Sequence, residues 1–138
     1  MMSAYIQRHL ASHGQRLANF LIDLVVISVA SFAVTVAIAL AFDAVDSFDD
    51  KTFGSVFNLV STLGFLVYYL VMESGTGKTV GKYITRTKVV THNGDLPSTV
   101  TVLGRSAARL IPLEFFSFLG AQGVGWHDSL SGTYVIQD

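Results

Sequence analysis

Cysteine is absent from all 138 residues, so the chain has no disulfide framework, no thiolate nucleophile and no cysteine-based zinc site, and it carries no signal of redox compartment. Charge is scarce as well: Asp, Glu, Lys and Arg together make up 14% of the residues against 51% hydrophobic ones, and the mean hydropathy is +0.52. A soluble domain carries about 25% charged residues, so this balance calls for lipid as part of the solvent. The net charge of -1 leaves no overall footprint for nucleic acid. No serine, histidine and carboxylate stand in a nucleophile-elbow context, and the reading is of a protein that is not an enzyme and needs no cofactor.

What the chain does have is long apolar runs. Residues 17–42 hold only Asn19 and Asp23 as strongly polar side chains, and residues 53–73 are free of charge until Glu73. At 1.5 Å per residue each exceeds or matches the roughly 30 Å of a hydrocarbon core, so both are expected to span a bilayer. The first run is too long for a signal-peptide core and reads as a retained anchor. Between them, residues 43–52 form a polar turn with Asp43, Asp46, Asp49 and Asp50 against Lys51. Arg8 and Arg16 precede the first run, whereas Lys78, Lys82, Arg86, Lys88, Arg105 and Arg109 follow the second. Short loops rich in Lys and Arg stay cytoplasmic, which places both ends of the helical hairpin, residues 1–16 and 74–99, in the cytoplasm, with the acidic turn outside.

Downstream, Tyr83 to Thr91 is a β-branched run followed by Asn93-Gly94, a hairpin turn signature, and Gly132 to Gln137 is a second strand candidate that would cover the open edge. The third apolar stretch, residues 100–124, contains Arg105, Arg109, Glu114 and Pro112 and reads as an amphipathic, interfacial or re-entrant helix rather than a full crossing. Residues 125–138 close the chain with a motif and a strand. The fold class expected is therefore a single α-helical membrane domain: a two-helix transmembrane hairpin, a third amphipathic or re-entrant helix and a small cytoplasmic β-hairpin or strand pair.

Ionisable groups within a span are costly and normally face protein or water. Arg16 and Asp23 are seven residues apart, about 10.5 Å along a helix and on nearly the same face, with Asn19 close to it. Asp23 is read either as a lock that pairs with a basic residue of the second half or as a cation or proton site. On the second helix Asn58, Thr62, Tyr69 and Glu73 form a polar stripe, read as interhelical hydrogen-bonding glue. Alternatively Asn19, Asp23, Asn58, Thr62 and Glu73 together supply oxygens to a hard cation, which two helices could enclose only as part of an oligomer. Gly75 to Thr79 imitates the end of a phosphate-binding loop but has Met72 where that pattern needs glycine. The acidic turn lacks EF-hand spacing, and His9 with His13 has no further ligand nearby, so no metal site is expected. Trp126 reads as an interface anchor.

Three ordered segments resemble one family. Arg16-Leu17-Ala18-Asn19-Phe20-Leu21-Ile22-Asp23 opens the match. Gly77-Lys78-Thr79-Val80-Gly81-Lys82, with Lys88-Val89-Val90 and Asn93-Gly94, continues it, and Trp126-His127-Asp128-Ser129-Leu130-Ser131-Gly132-Thr133 closes it. Together they resemble the RDD family of membrane proteins, named for an arginine and two aspartates. The resemblance implies that Arg16 is the family arginine and that Asp23 and Asp128 are its aspartates, with Glu73 at a common acidic position. It also implies three membrane segments, of which the third is short and charge-bearing here, and a role in transport of ions or small molecules. The expectation is an oligomeric transport or exchange component of a prokaryotic plasma membrane, handling a proton or monovalent cation. The alternative is a non-catalytic scaffold that binds a partner or anionic lipid. If the terminal strand pairs with the central one, Asp128 is drawn toward Arg16 and Arg109 and ties the closing motif to the first helix.

Overall fold

The computed structural model describes residues 3–41, 49–110 and 126–138, without the side chains of Trp126 and His127. Phe42, Asp43, Asp46, Glu114 and most of the expected third apolar helix lie outside the described residues.

Two long helices dominate. Helix α2 (His13–Ala41) and helix α3 (Asp50–Thr76) have 29 and 27 residues, about 40 Å each, and both are long and apolar enough to cross a membrane. They begin earlier, and α3 also ends later, than the apolar runs alone indicate. The Asp49 carboxylate caps α3 by accepting from the Thr52 amide at 2.8 Å. The helices are antiparallel neighbours: Phe32 meets Phe53 edge-on at 6.0 Å, while Asp23 lies beside Tyr68 and Tyr69.

Their polarity runs inside out relative to a soluble helix. The buried face of α2 is Arg16, Asn19, Asp23, Ile27, Ser31, Thr35 and Ala39, a three- or four-residue repeat that is largely polar or small. The large apolar residues Leu21, Val25, Val29 and Phe32 of α2 and Leu59, Leu63, Val67 and Val71 of α3 are exposed. A soluble core helix would bury such residues; these faces suit acyl chains. The small inner residues let the helices approach: a Cβ on Gly64 would touch Ser31 Oγ at 3.6 Å.

At one end of this pair the other described residues form a cap. Helix α1 (Ala4–His9) covers strands β1 (Thr87–Thr91) and β2 (Thr133–Gln137), which pair antiparallel from Thr87↔Gln137 to Thr91↔Thr133. Ile6, Val90 and Ile136 form the core beneath α1, and Leu10 bridges to Ile136. Two strands alone are marginal in water, so this cover is what holds them.

Two local expectations are corrected here. Tyr83, Ile84 and Thr85 belong to helix α4 (Val80–Thr85), not to a strand. Thr79 caps that helix, and Gly81 packs so closely on α2 that a Cβ would stand 2.5 Å from the Asn19 carbonyl oxygen, which overrides the β propensity of the segment. Gly77, at φ 70°, ends α3 and turns the chain into α4. The Asn93-Gly94 turn forms, with Gly94 N–H donating to the Thr91 carbonyl at 2.9 Å, but no hairpin strand follows it. Pro97 offers no ladder N–H, and Ser98 caps helix α5 (Thr99–Ala108) through the Thr101 amide. β1 therefore takes its partner from the far end of the chain.

Helix α5 packs on α3 and on helix α6 (Trp126–Ser131). Its amphipathicity is also reversed: Arg105 is buried, whereas Val100, Leu103 and the following Leu110 are exposed. That arrangement fits a helix lying at a membrane boundary with its charge turned inward.

Candidate functional site

The buried faces of α2, α3, α4 and α5 converge at the capped end of the hairpin and bring together three carboxylates, Asp23, Glu73 and Asp128, each with zero exposure. Around them lie Arg16, Lys82, Arg105 and Arg109.

Glu73, near the end of α3, is surrounded by cations. Its Oε1 accepts from Lys82 Nζ at 2.7 Å and from Arg109 Nη2 at 3.2 Å, and its Oε2 accepts from Arg105 Nε at 3.0 Å. The Arg109 guanidinium also lies 4.1 Å from the centre of the Tyr69 ring, a cation–π contact. Asp128, in the first turn of α6, is clasped through its two oxygens: Arg105 Nη1 donates to Oδ1 and Arg16 Nη2 to Oδ2. Arg105 Nη1 further donates to Thr133 Oγ1 at the start of β2. Arg105 thus joins α3, α5, α6 and β2. Burial opposes its charge, but Glu73 and Asp128 more than offset this and hold its pKa above the ordinary arginine value. Burial pulls the Lys82 ammonium below the ordinary lysine range, although Glu73 opposes the shift.

Asp23 has different company. Its Oδ1 accepts from Tyr68 Oη at 2.7 Å and from the Gly81 amide at 2.9 Å; its Oδ2 accepts from Thr79 Oγ1 at 2.6 Å and more weakly from Tyr69 Oη at 3.3 Å. Every donor is neutral. Among the described residues the buried ion pairs join Glu73 and Asp128 to bases, and none reaches Asp23. The chemical consequence lies in the donor types. A hydroxyl can donate or accept, so Thr79 and Tyr69 can turn to accept from a proton carried on Oδ2 of Asp23, leaving Tyr68 and the Gly81 amide on Oδ1. Guanidinium and ammonium groups only donate, so the ion-pair partners described for Glu73 and Asp128 offer no such exchange.

The same-face placement of Arg16 and Asp23 holds, since both are buried on α2, but Arg16 reaches Asp128 rather than Asp23. Asn19, between them, sets its amide against the hydroxyls of Thr85 and Thr87 and ties α2 to the start of β1. The tie between Asp128 and Arg16 is present; Arg105 takes the place expected for Arg109, which goes to Glu73 instead. Asn58 and Thr62 do not join the group: both are exposed, and Thr62 Oγ1 donates to the Asn58 carbonyl within its own helix. They share a face with Glu73, yet Asn58 stands about 22 Å from it along the axis, beyond the cap. The five-oxygen cation cage is therefore not assembled, and Glu73 is already committed to three bases. No cluster of three metal-ligating side chains occurs among the described residues.

Thr79, Gly81 and Lys82 were legible only as members of the second family segment, Gly77 to Lys82; their role here is to bring α4 onto Asp23 and Glu73. Tyr69 was already part of the polar stripe read on the second helix, whereas Tyr68 was missed, its one signal being its place beside Tyr69. Comparison with curated proteins and with solved structures gives no match. The RDD family matches residues 10–127. With that span and two apolar helices turned outward, the chain belongs to the RDD family and is a membrane protein.

Proposed function

We propose that this RDD protein is an oligomeric component of ion or small-molecule exchange across a prokaryotic plasma membrane, with no covalent catalysis, and that Asp23 takes up and releases a proton or monovalent cation. The observation that carries this reading is the neutral cradle of Asp23. Its described donors are hydroxyls and one amide, which serve both charge states as a coupling group needs, and it sits about 15 Å into α2, where a charge without function is costly. The capped end, with eight of the nine Lys and Arg, faces the cytoplasm by the positive-inside rule, with the N-terminus on that side. Two helices cannot enclose a path, so several copies supply it.

Purified protein in liposomes with an enclosed pH dye, challenged with sodium or potassium gradients, tests the proposal. Wild-type vesicles should show flux, and Asp23→Asn should abolish it while the protein stays folded. Equal fluxes from the two would refute the assignment.

A second reading, a scaffold held at an anionic leaflet, draws on the exposed apolar side of α5 beside its inward arginines. Crosslinking in native membranes separates the two: a stoichiometric second protein favours the scaffold, and contacts between copies alone favour the oligomeric exchanger.

A further inference from the structure

The charge cluster is not balanced by its own described residues. Arg16, Lys82, Arg105 and Arg109 pair with Glu73 and Asp128, four cations to two carboxylates, and adding the neighbouring Asp23 still leaves one cation more. The surplus shows in hydrogen bonds too. Among the described residues, Arg16 Nε and Nη1, Arg105 Nη2 and Arg109 Nε are buried without an acceptor. The three side chains are 5%, 0% and 9% exposed, so water does not substitute freely. They are also contiguous: Arg16 and Arg105 hold opposite oxygens of Asp128, and Arg105 and Arg109 hold opposite oxygens of Glu73. Guanidinium groups carry no acceptor and cannot satisfy one another.

We infer that Arg16, Arg105 and Arg109 bind one phosphate-class oxyanion through these spare N–H groups. A phosphate group presents several acceptor oxygens, enough to be shared between guanidinium groups that stand a carboxylate's width apart, whereas a halide presents a single atom. The anion supplies the missing negative charge and fills the acceptor deficit in one step. It can come from free phosphate or from the headgroup of an anionic phospholipid, since the cluster lies at the end of the lipid-facing helices. This site is distinct from Asp23 and stands whether or not Asp23 couples transport.

The test uses the full chain, delipidated in a non-ionic detergent, with thermal unfolding followed as inorganic phosphate replaces chloride at constant ionic strength. In parallel, the protein is melted in phosphatidylcholine nanodiscs with and without phosphatidylglycerol. A ligand of the folded state raises the midpoint saturably. A rise with phosphate identifies the free anion, and a rise only with phosphatidylglycerol identifies the headgroup. Arg16→Lys keeps the charge and a donor for Asp128 but replaces the planar fork that carries Nε and Nη1 with a single ammonium nitrogen, and Arg109→Gln removes one ion pair together with the spare Nε donor. Each should keep the wild-type size-exclusion profile and weaken the response about tenfold or more. Absence of a response to either probe overturns the inference, as does a response of unchanged midpoint concentration in both variants. It also fails if Glu114→Gln creates a phosphate response that the wild type lacks, because the chain's own carboxylate would then fill the place.

Discussion

Two buried environments lie side by side at the capped end of this membrane hairpin, and they treat a carboxylate in opposite ways. Among the described residues the charged groups that meet Glu73 and Asp128 are cations that can only donate, so ionised carboxylates hold the cluster together. Around Asp23 the neighbours are two tyrosines, a threonine and a backbone amide, of which the Thr79 and Tyr69 hydroxyls can reverse their hydrogen bonds. The lesson is that burial alone does not mark a functional carboxylate. The kind of donor around it separates a lock from a group free to change charge.

The sharpest way to break this contrast is to neutralise Glu73. Glu73→Gln turns an amide N–H toward groups that are themselves donors, takes from Lys82 and Arg109 the carboxylate they share, and leaves Arg105 with Asp128. Losing one partner of a buried pair costs about 3–5 kcal/mol, so the variant should unfold in detergent at temperatures where the wild type is stable, or fail to accumulate. Asp128→Ala comes next. It releases Arg16 and Arg105 together and should cost about 3 kcal/mol in thermal unfolding. Asp95→Ala, at the exposed turn, should stay within about 0.5 kcal/mol of wild type.

A milder outcome is expected at Asp23. In Asp23→Asn the amide oxygen can keep Tyr68 and Gly81 while the nitrogen donates to the hydroxyls of Thr79 and Tyr69, so the loss should be about 1 kcal/mol. A loss as large as that of Glu73→Gln would erase the distinction between the two environments. The smallest effect belongs to the half-exposed Asp138, which pairs with Lys78 and with Lys88 Nζ at 3.3 Å. Asp138→Ala should change stability by less than about 1 kcal/mol. Hydrogen bonds from Lys78 and Lys88 hold its carboxyl below the ordinary carboxylate range. Its contribution is therefore complete above about pH 4 and lost as pH falls through the depressed value. The difference in midpoint between variant and wild type should be constant from about pH 7 to 5 and shrink only in stronger acid.

The legible parts of this protein were those set by local composition or by the order of motifs. Both long helices follow from uninterrupted apolar runs, and the pairing of the terminal strand with the central one followed from two β-branched segments that each needed a partner. The tie between Arg16 and Asp128 was foreseeable from that pairing. The helix at Val80–Thr85 was not, because its cause is the Thr79 cap together with the contact of Gly81 on the backbone of α2. Asn58 and Thr62 were grouped with Glu73 because helical angle can be read from spacing, whereas the depth at which a cap covers the helix cannot.

By itself the amino-acid sequence determined that this chain dissolves part of its surface in lipid, that two helices are long enough to cross, and that charge collects beyond their ends. These are properties of hydropathy and length, which act residue by residue. Only the tertiary structure decided that Arg105, rather than Arg109, shares Asp128 with Arg16 and that the same Arg105 joins Glu73 to Asp128. It alone decided, too, that Asp23 rests among hydroxyls. Carboxylates and cations have no intrinsic preference among one another; which pair forms is settled by the packing that brings their elements within about 3 Å and excludes water from the rest.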